Sequence, residues 1–167
     1  LESNARSAAE LFASIPDALL FDGDPERWSP AHHLVHLTQA SATVARALAS
    51  KALPLHPTAR SRDYAGVLDA ASSSLAATPK DRLLEMGRTV VIPPGASRAD
   101  VVAAFVAASA ALRAGASGWT EDALDRHALV HPLIGVLTVR EMLYFFVVHE
   151  RHHMKLVRAR LGPAISA

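Results

Sequence analysis

The sequence predicts an all-α fold, a four-helix bundle with long connections between its helices. Half of the 167 residues are hydrophobic but only 5% are aromatic, so the core must be built mainly from Ala, Leu and Val. Ala and Leu lose little conformational freedom in a helix. Apolar residues recur at three- and four-residue steps over four long stretches, and three of these open on a recognisable helix N-terminus.

The first stretch starts near Asn4 and runs through Ala8, Leu11, Phe12 and Ile15 until Pro16 ends or kinks it. Asp17 to Leu20 adds a turn at most, and Asp22-Gly23-Asp24-Pro25 reads as loop. Ser29-Pro30 opens the second helix: Ser is a favoured N-cap, and Pro suits the first helical position because its missing N–H costs nothing there. That helix continues through Leu34, Leu37, Ala40, Val44 and Leu48 to about Lys51, and Pro54 and Pro57 stop it. Asp63 to Ala77 reads as a further helix weakened by Ser72-Ser73-Ser74, with a turn at Arg82 to Met86 and a loop through Val90 to Gly95. Ser97 and Asp100 form a capping box that opens the third strong helix. Its interior, Ala103 to Ala108, is nearly apolar all round, which predicts burial on more than one side. Gly115 and Gly118 are expected to end it near Ala114. After a short turn or helix at Trp119 to Arg126 and a loop at His131 to Gly135, Thr138 and Glu141 form a second capping box. The last helix then runs to about Leu161 and closes at Gly162-Pro163. No linker divides the chain, so residues 1–167 are expected to form one domain.

Charge and cysteine usage narrow the function. Seventeen Lys and Arg against sixteen Asp and Glu leave a net charge of +1, too little for a broad field that would attract nucleic acid or an acidic membrane, and neither partner is expected. Cysteine is absent, so disulfides, thiolate zinc sites and cysteine nucleophiles are excluded, and a metal would have to be held by His, Asp or Glu. The lack of thiols fits a reducing compartment, and a cytoplasmic location is expected. No apolar run approaches the roughly 20 residues that span a bilayer, and no charged segment followed by an apolar one marks a secretory signal.

Nine histidines stand out against two tyrosines and two tryptophans. Three pairs are four apart, His32/His36, His127/His131 and His149/His153, where random scatter would give roughly 0.4. Four-residue spacing stacks two imidazoles on one helix face, close enough to chelate one ion. Pro132 places His127/His131 across a loop, which discounts that pair. In the last helix Met142, Phe145, Phe146, His149, His153 and Leu156 follow one inward stripe, and His36 precedes Ala40 and Val44 on the core-facing stripe of its own helix. Buried imidazoles without partners cost a few kcal/mol, and a metal ion would remove that cost. His36, His149 and His153 are therefore the candidate ligands, with a coordination position left open as in catalytic sites. His32 and Glu150 are candidates to support the ligands from behind. Glu150 also completes a His-Glu-x-x-His pattern through His149 and His153, which would make it the general base of a metalloprotease-like hydrolase. The bland alternatives are a Glu150 that faces solvent beside an Arg, an exposed His33, a rim position for His152, a core Trp28 and a solvated helix end at Arg158 and Arg160.

Trp28-Ser29-x-x-x-x-Leu34-Val35-His36-Leu37 is followed by His131-Pro132-x-x-Gly135-x-Leu137-Thr138-x-x-Glu141 and by His149-Glu150-Arg151-His152-His153. This order and spacing resembles the DinB/YfiT-like superfamily of metal-binding four-helix bundles over nearly the whole chain. The resemblance implies that His36, His149 and His153 hold a divalent ion, nickel or zinc. Similar families include thiol-dependent S-transferases and isomerases that use a low-molecular-weight thiol as cosubstrate, and hydrolase-like enzymes. The expected function is a divalent-metal-dependent transferase or hydrolase acting on a small molecule. The alternatives are a non-catalytic metal-binding stress-response protein, as a homodimer through its Ala-rich helix, or histidines that are merely buried.

Overall fold

The computed structural model describes residues 1–24 and 27–162. Among these, eight helices and one hairpin follow in the order α1 (Glu2–Ser14), α2 (Asp17–Leu20), α3 (Pro30–Ser50), α4 (Tyr64–Ala77), α5 (Lys80–Gly87), α6 (Arg98–Ser117), α7 (Glu121–Arg126), β1 (Ala128–His131), β2 (Gly135–Thr138) and α8 (Val139–Leu161). Pro25 and Pro163, expected in a loop and at a helix end, lie outside the described residues.

The helix starts follow their local chemistry. Ser29 Oγ accepts from the His32 amide, Ser97 Oγ from the Asp100 amide and Thr138 Oγ1 from the Glu141 amide, so each cap satisfies an amide that the helix itself leaves unpaired. The helix end expected near Ala114 is three residues late: α6 continues through Gly115 to Ser117. A Cβ at Gly115 would stand 3.1 Å from the Ala45 carbonyl oxygen and 3.2 Å from Leu48 Cβ. The missing side chain thus lets α6 pack closely on α3, a gain that outweighs glycine's cost of about 1 kcal/mol within a helix.

Two further expectations need correction. The segment around His131 is not simply loop, because Ala128 pairs with Thr138 and His131 with Gly135 in an antiparallel ladder. Gly135 supplies the positive φ (87°) that closes the turn. Burial of α6 on several sides does not occur either. Val101, Phe105, Ala108 and Leu112 are buried, whereas Ala103, Ala104, Val106 and Ala107 are exposed. Alanine offers so little apolar area that exposing it costs little. By length and composition α6 does qualify as a membrane span, contrary to the sequence reading, but its buried side packs on α3 and α1.

Buried apolar side chains form two clusters. One gathers α1, the first half of α3, the start of α6 and, from α8, Met154 and Val157. The other gathers Ala45 and Leu48 of α3, Leu112 of α6 and, from α8, Val139, Met142, Phe145 and Phe146. Along α8, His149, Glu150 and His153 therefore occupy the stretch between the residues that feed the two clusters. Beyond them Val157 carries the inward stripe, and Leu156, expected there, is 42% exposed. The helical repeat of 3.6 residues favours the four-residue step from His153 to Val157.

Candidate metal centre

His36 comes from α3, and His149 and His153 come from successive turns of α8. The Nε2 atom of His149 lies 2.9 Å from Nε2 of His36 and 3.0 Å from Nε2 of His153. One donor nitrogen from each of the three residues falls within 4.8 Å of the other two. The three imidazoles expected to converge do so.

Their local environment keeps them neutral. Burial pushes the His149 and His153 imidazoles well below the usual range, with the neighbouring histidines adding to it. Burial also lowers His36. At neutral pH each ring thus has a lone pair available for a cation. Aromatic rings line both flanks. Trp28 sits 5.2 Å from the His36 ring and stacks on His153 at 6.1 Å, while Phe145 stacks on His149 at 5.0 Å. Trp28 therefore covers the imidazoles as well as packing against the core.

Arg160 fixes Trp28 in place. Its guanidinium donates to the Trp28 carbonyl oxygen and to both the carbonyl and the carboxylate of Asp22. The side chain is only 16% exposed, so the expected solvated end of α8 is instead a clasp on the segment leading into α3. Arg158 is exposed as expected.

The two residues expected behind the ligands are engaged elsewhere. His32 is the third residue of the α3 cap, and its Nδ1 accepts from the Ser29 amide at 3.3 Å and meets Ser29 Oγ at 2.7 Å. It takes the place of the acidic residue in an ordinary capping box. Glu150, far from facing solvent, is 2% exposed and turns to α1, where Asn4 Nδ2 donates to its Oε2. Arg151 Nε in turn donates to Asn4 Oδ1. Burial pushes the Glu150 carboxyl up, against the opposing Asn4 hydrogen bond. With its carboxylate held by Asn4 of α1 and not turned to the imidazoles, Glu150 removes support for a His-Glu-x-x-His hydrolase.

Two histidines set aside by the sequence reading stand next to the cluster. His33, expected to be exposed, has its Nδ1 2.7 Å from Nδ1 of His153 and its ring edge-on to Trp28. The signal was present in the sequence: His33 and His36 are three apart, a spacing that shares a helix face as four does. His131 closes the hairpin, where its Nδ1 accepts from the Leu133 and Ile134 amides at 3.2 Å each, and its ring lies 4.3 Å from Phe145. Burial first, and then the proximity of His36, lowers His131 to about 4. His152 is half-buried with its ring against His153, while His127 packs on Trp119 away from the cluster.

Hydrogen bonding alone does not satisfy this geometry. A ring nitrogen has one in-plane site, either a lone pair or an N–H. His149 Nε2 nonetheless faces two other Nε2 atoms, and its Nδ1 is buried without a partner. The separations match another arrangement. Two nitrogens each about 2.05 Å from one ion lie about 2.9 Å apart at the right angles of an octahedral or square site and about 3.3 Å apart in a tetrahedral one. The donor set fits a divalent ion.

Comparison with curated proteins and with solved structures gives no match. The family model described as the DinB superfamily matches residues 1–157, a span that contains Trp28, His36, His149 and His153. The chain belongs to the DinB superfamily.

Proposed function

We propose that the protein binds one divalent transition-metal ion through Nε2 of His36, His149 and His153 and uses it in chemistry on a small molecule. In this reading α1, α3, α6 and α8 are the four helices of the bundle characteristic of the superfamily. The observation that carries the proposal is the meeting of three neutral Nε2 atoms at a point where their lone pairs cannot all be used by one another.

An all-imidazole set suits nickel and zinc and provides no thiolate or carboxylate to compensate the ion's charge. Bound there, such an ion supplies Lewis acidity to a thiol, water or carbonyl of the reactants. The chain's own residues do the rest. Trp28 and Phe145 shield the imidazoles from water. His131, whose Nδ1 accepts two backbone amides, keeps its proton on Nε2 and can donate from there. Transfer to an electrophile from a low-molecular-weight thiol is the reaction proposed first, and hydrolysis second. A metal-binding stress-response role without catalysis is the competing reading, favoured by the engagement of Glu150 with α1, which leaves no α8 carboxylate to act as base.

Metal analysis of untagged protein tests the ion directly: about one equivalent is expected in the wild type and none in His149→Ala. A metal-free wild type overturns the proposal. A screen of thiol cosubstrates with electrophiles on the loaded protein separates enzyme from binder, turnover supporting the first.

A further inference from the structure

We propose that His33 is a positioning residue that receives the Nδ1 proton of His153 and thereby commits His153 to ligation through Nε2. The inference rests on the metal-binding reading above and adds to it a residue outside the ligand set.

The two nitrogens of His153 face opposite ways. Its Nε2 lies 3.0 Å from His149 Nε2, and its Nδ1 lies 2.7 Å from His33 Nδ1. A neutral imidazole carries one proton, so a His153 that gives its Nε2 lone pair to an ion must hold that proton on Nδ1. At 2.7 Å, two nitrogens can share one proton between them. Two protons there would clash, and none would set lone pair against lone pair. His33 must therefore present a bare Nδ1 and keep its own proton on Nε2. The opposite arrangement, a proton on His33 Nδ1, would place the His153 proton on Nε2 and block ligation. The tautomers of the two rings are locked together.

The rest of the cluster shows why this contact matters. Ligand imidazoles ordinarily donate their second N–H to a fixed acceptor, which sets ring orientation and raises basicity. His149 lacks such an acceptor, since its Nδ1 is buried and unpartnered. His153 has one, supplied by the same helix that supplies His36. A single turn of α3 thus provides both a ligand and the support for a second ligand on α8.

The test compares two substitutions in the full chain. In His33→Asn, Oδ1 stands close to the position of Nδ1 and remains an acceptor, whereas His33→Leu keeps the bulk and removes the acceptor. Zinc affinity is measured by competition with a chromogenic chelator, with thermal melts of the metal-free variants as a control for folding. His33→Leu is expected to bind zinc 10- to 100-fold more weakly, the range for lost outer hydrogen bonds, and His33→Asn to stay within about threefold of wild type. Two-bond proton–nitrogen correlation spectra of the zinc-loaded wild type should show the His33 proton on Nε2 and the His153 proton on Nδ1. Wild-type affinity in His33→Leu overturns the inference and leaves the three-histidine site standing. Equal losses in both variants overturn it as well, since loss of acceptor is then not the cause. A wild type that binds no zinc overturns both. Should His33→Leu fail to fold, the spectrum decides alone, and a proton on His33 Nδ1 in the zinc-loaded protein overturns the inference.

Discussion

Two turns of α8 bury polar side chains, with opposite outcomes. At its start, Glu141 is 2% exposed and accepts from the Arg62 amide at 2.8 Å, from Arg62 Nε at 2.7 Å and from the Thr138 amide at 3.0 Å. Thr138 Oγ1 meets Ser61 Oγ, Ser61 donates to Asp125, and Arg140 donates to the same carboxylate. The network ties the segment before α4, α7 and the hairpin to α8, and each of these groups has a partner. Two turns later the histidines leave one nitrogen orphaned and the Nε2 of His149 facing two others. A closed network holds the fold together, whereas an open one has bonding capacity left over for something the chain does not provide.

The largest expected effect breaks the closed side. Glu141→Ala removes the cap acceptor and leaves the buried Thr138 amide unpaired, and should lower stability by about 2–4 kcal/mol in urea unfolding. The open side should respond in the opposite sense. In the metal-free protein His149→Leu replaces an unsatisfied buried imidazole with an apolar side chain of similar volume, and stability should rise by about 1 kcal/mol while metal binding is lost. Comparable losses in both variants would erase the distinction between the two turns. The smallest effect is a slope. Burial pushes the Glu141 carboxyl up, but the Arg62 and Thr138 hydrogen bonds and the Arg62 charge together outweigh it and leave it below its usual range. The folded state then binds fewer protons than the unfolded chain near pH 4.5. The resulting stabilisation is complete above that pH and is lost as pH falls through the folded value. Glu141→Gln should flatten this acid limb in stability measured from pH 6 to pH 3.

Legibility in the sequence followed the range of the interactions. Ser29-Pro30, Ser97/Asp100 and Thr138/Glu141 act within four residues, and each helix starts where its cap places it. The end of α6 was less legible, because Gly115 is read as a stop unless the packing against Ala45 is known. The hairpin stayed hidden because its strands are four residues each and depend on the turn at Gly135. For the site, four-residue spacing exposed His149/His153, and the inward stripe of α3 exposed His36. His33 was judged by its angle from His32 and not by its three-residue step to His36. Arg160 and Glu150 look like surface charges because their partners, Trp28 and Asn4, are more than 130 residues away.

That separation also constrains when the centre can exist. His36 and His149 are 113 positions apart, so no early, local folding event can bring them together. During synthesis the nascent chain exposes His36 long before His149 emerges, and a lone imidazole is a poor trap for an ion. In the metal-binding reading, loading comes after the chain has closed that long loop, and it then stabilises only molecules that have completed the fold. Metal occupancy would in this way report on finished copies of the protein.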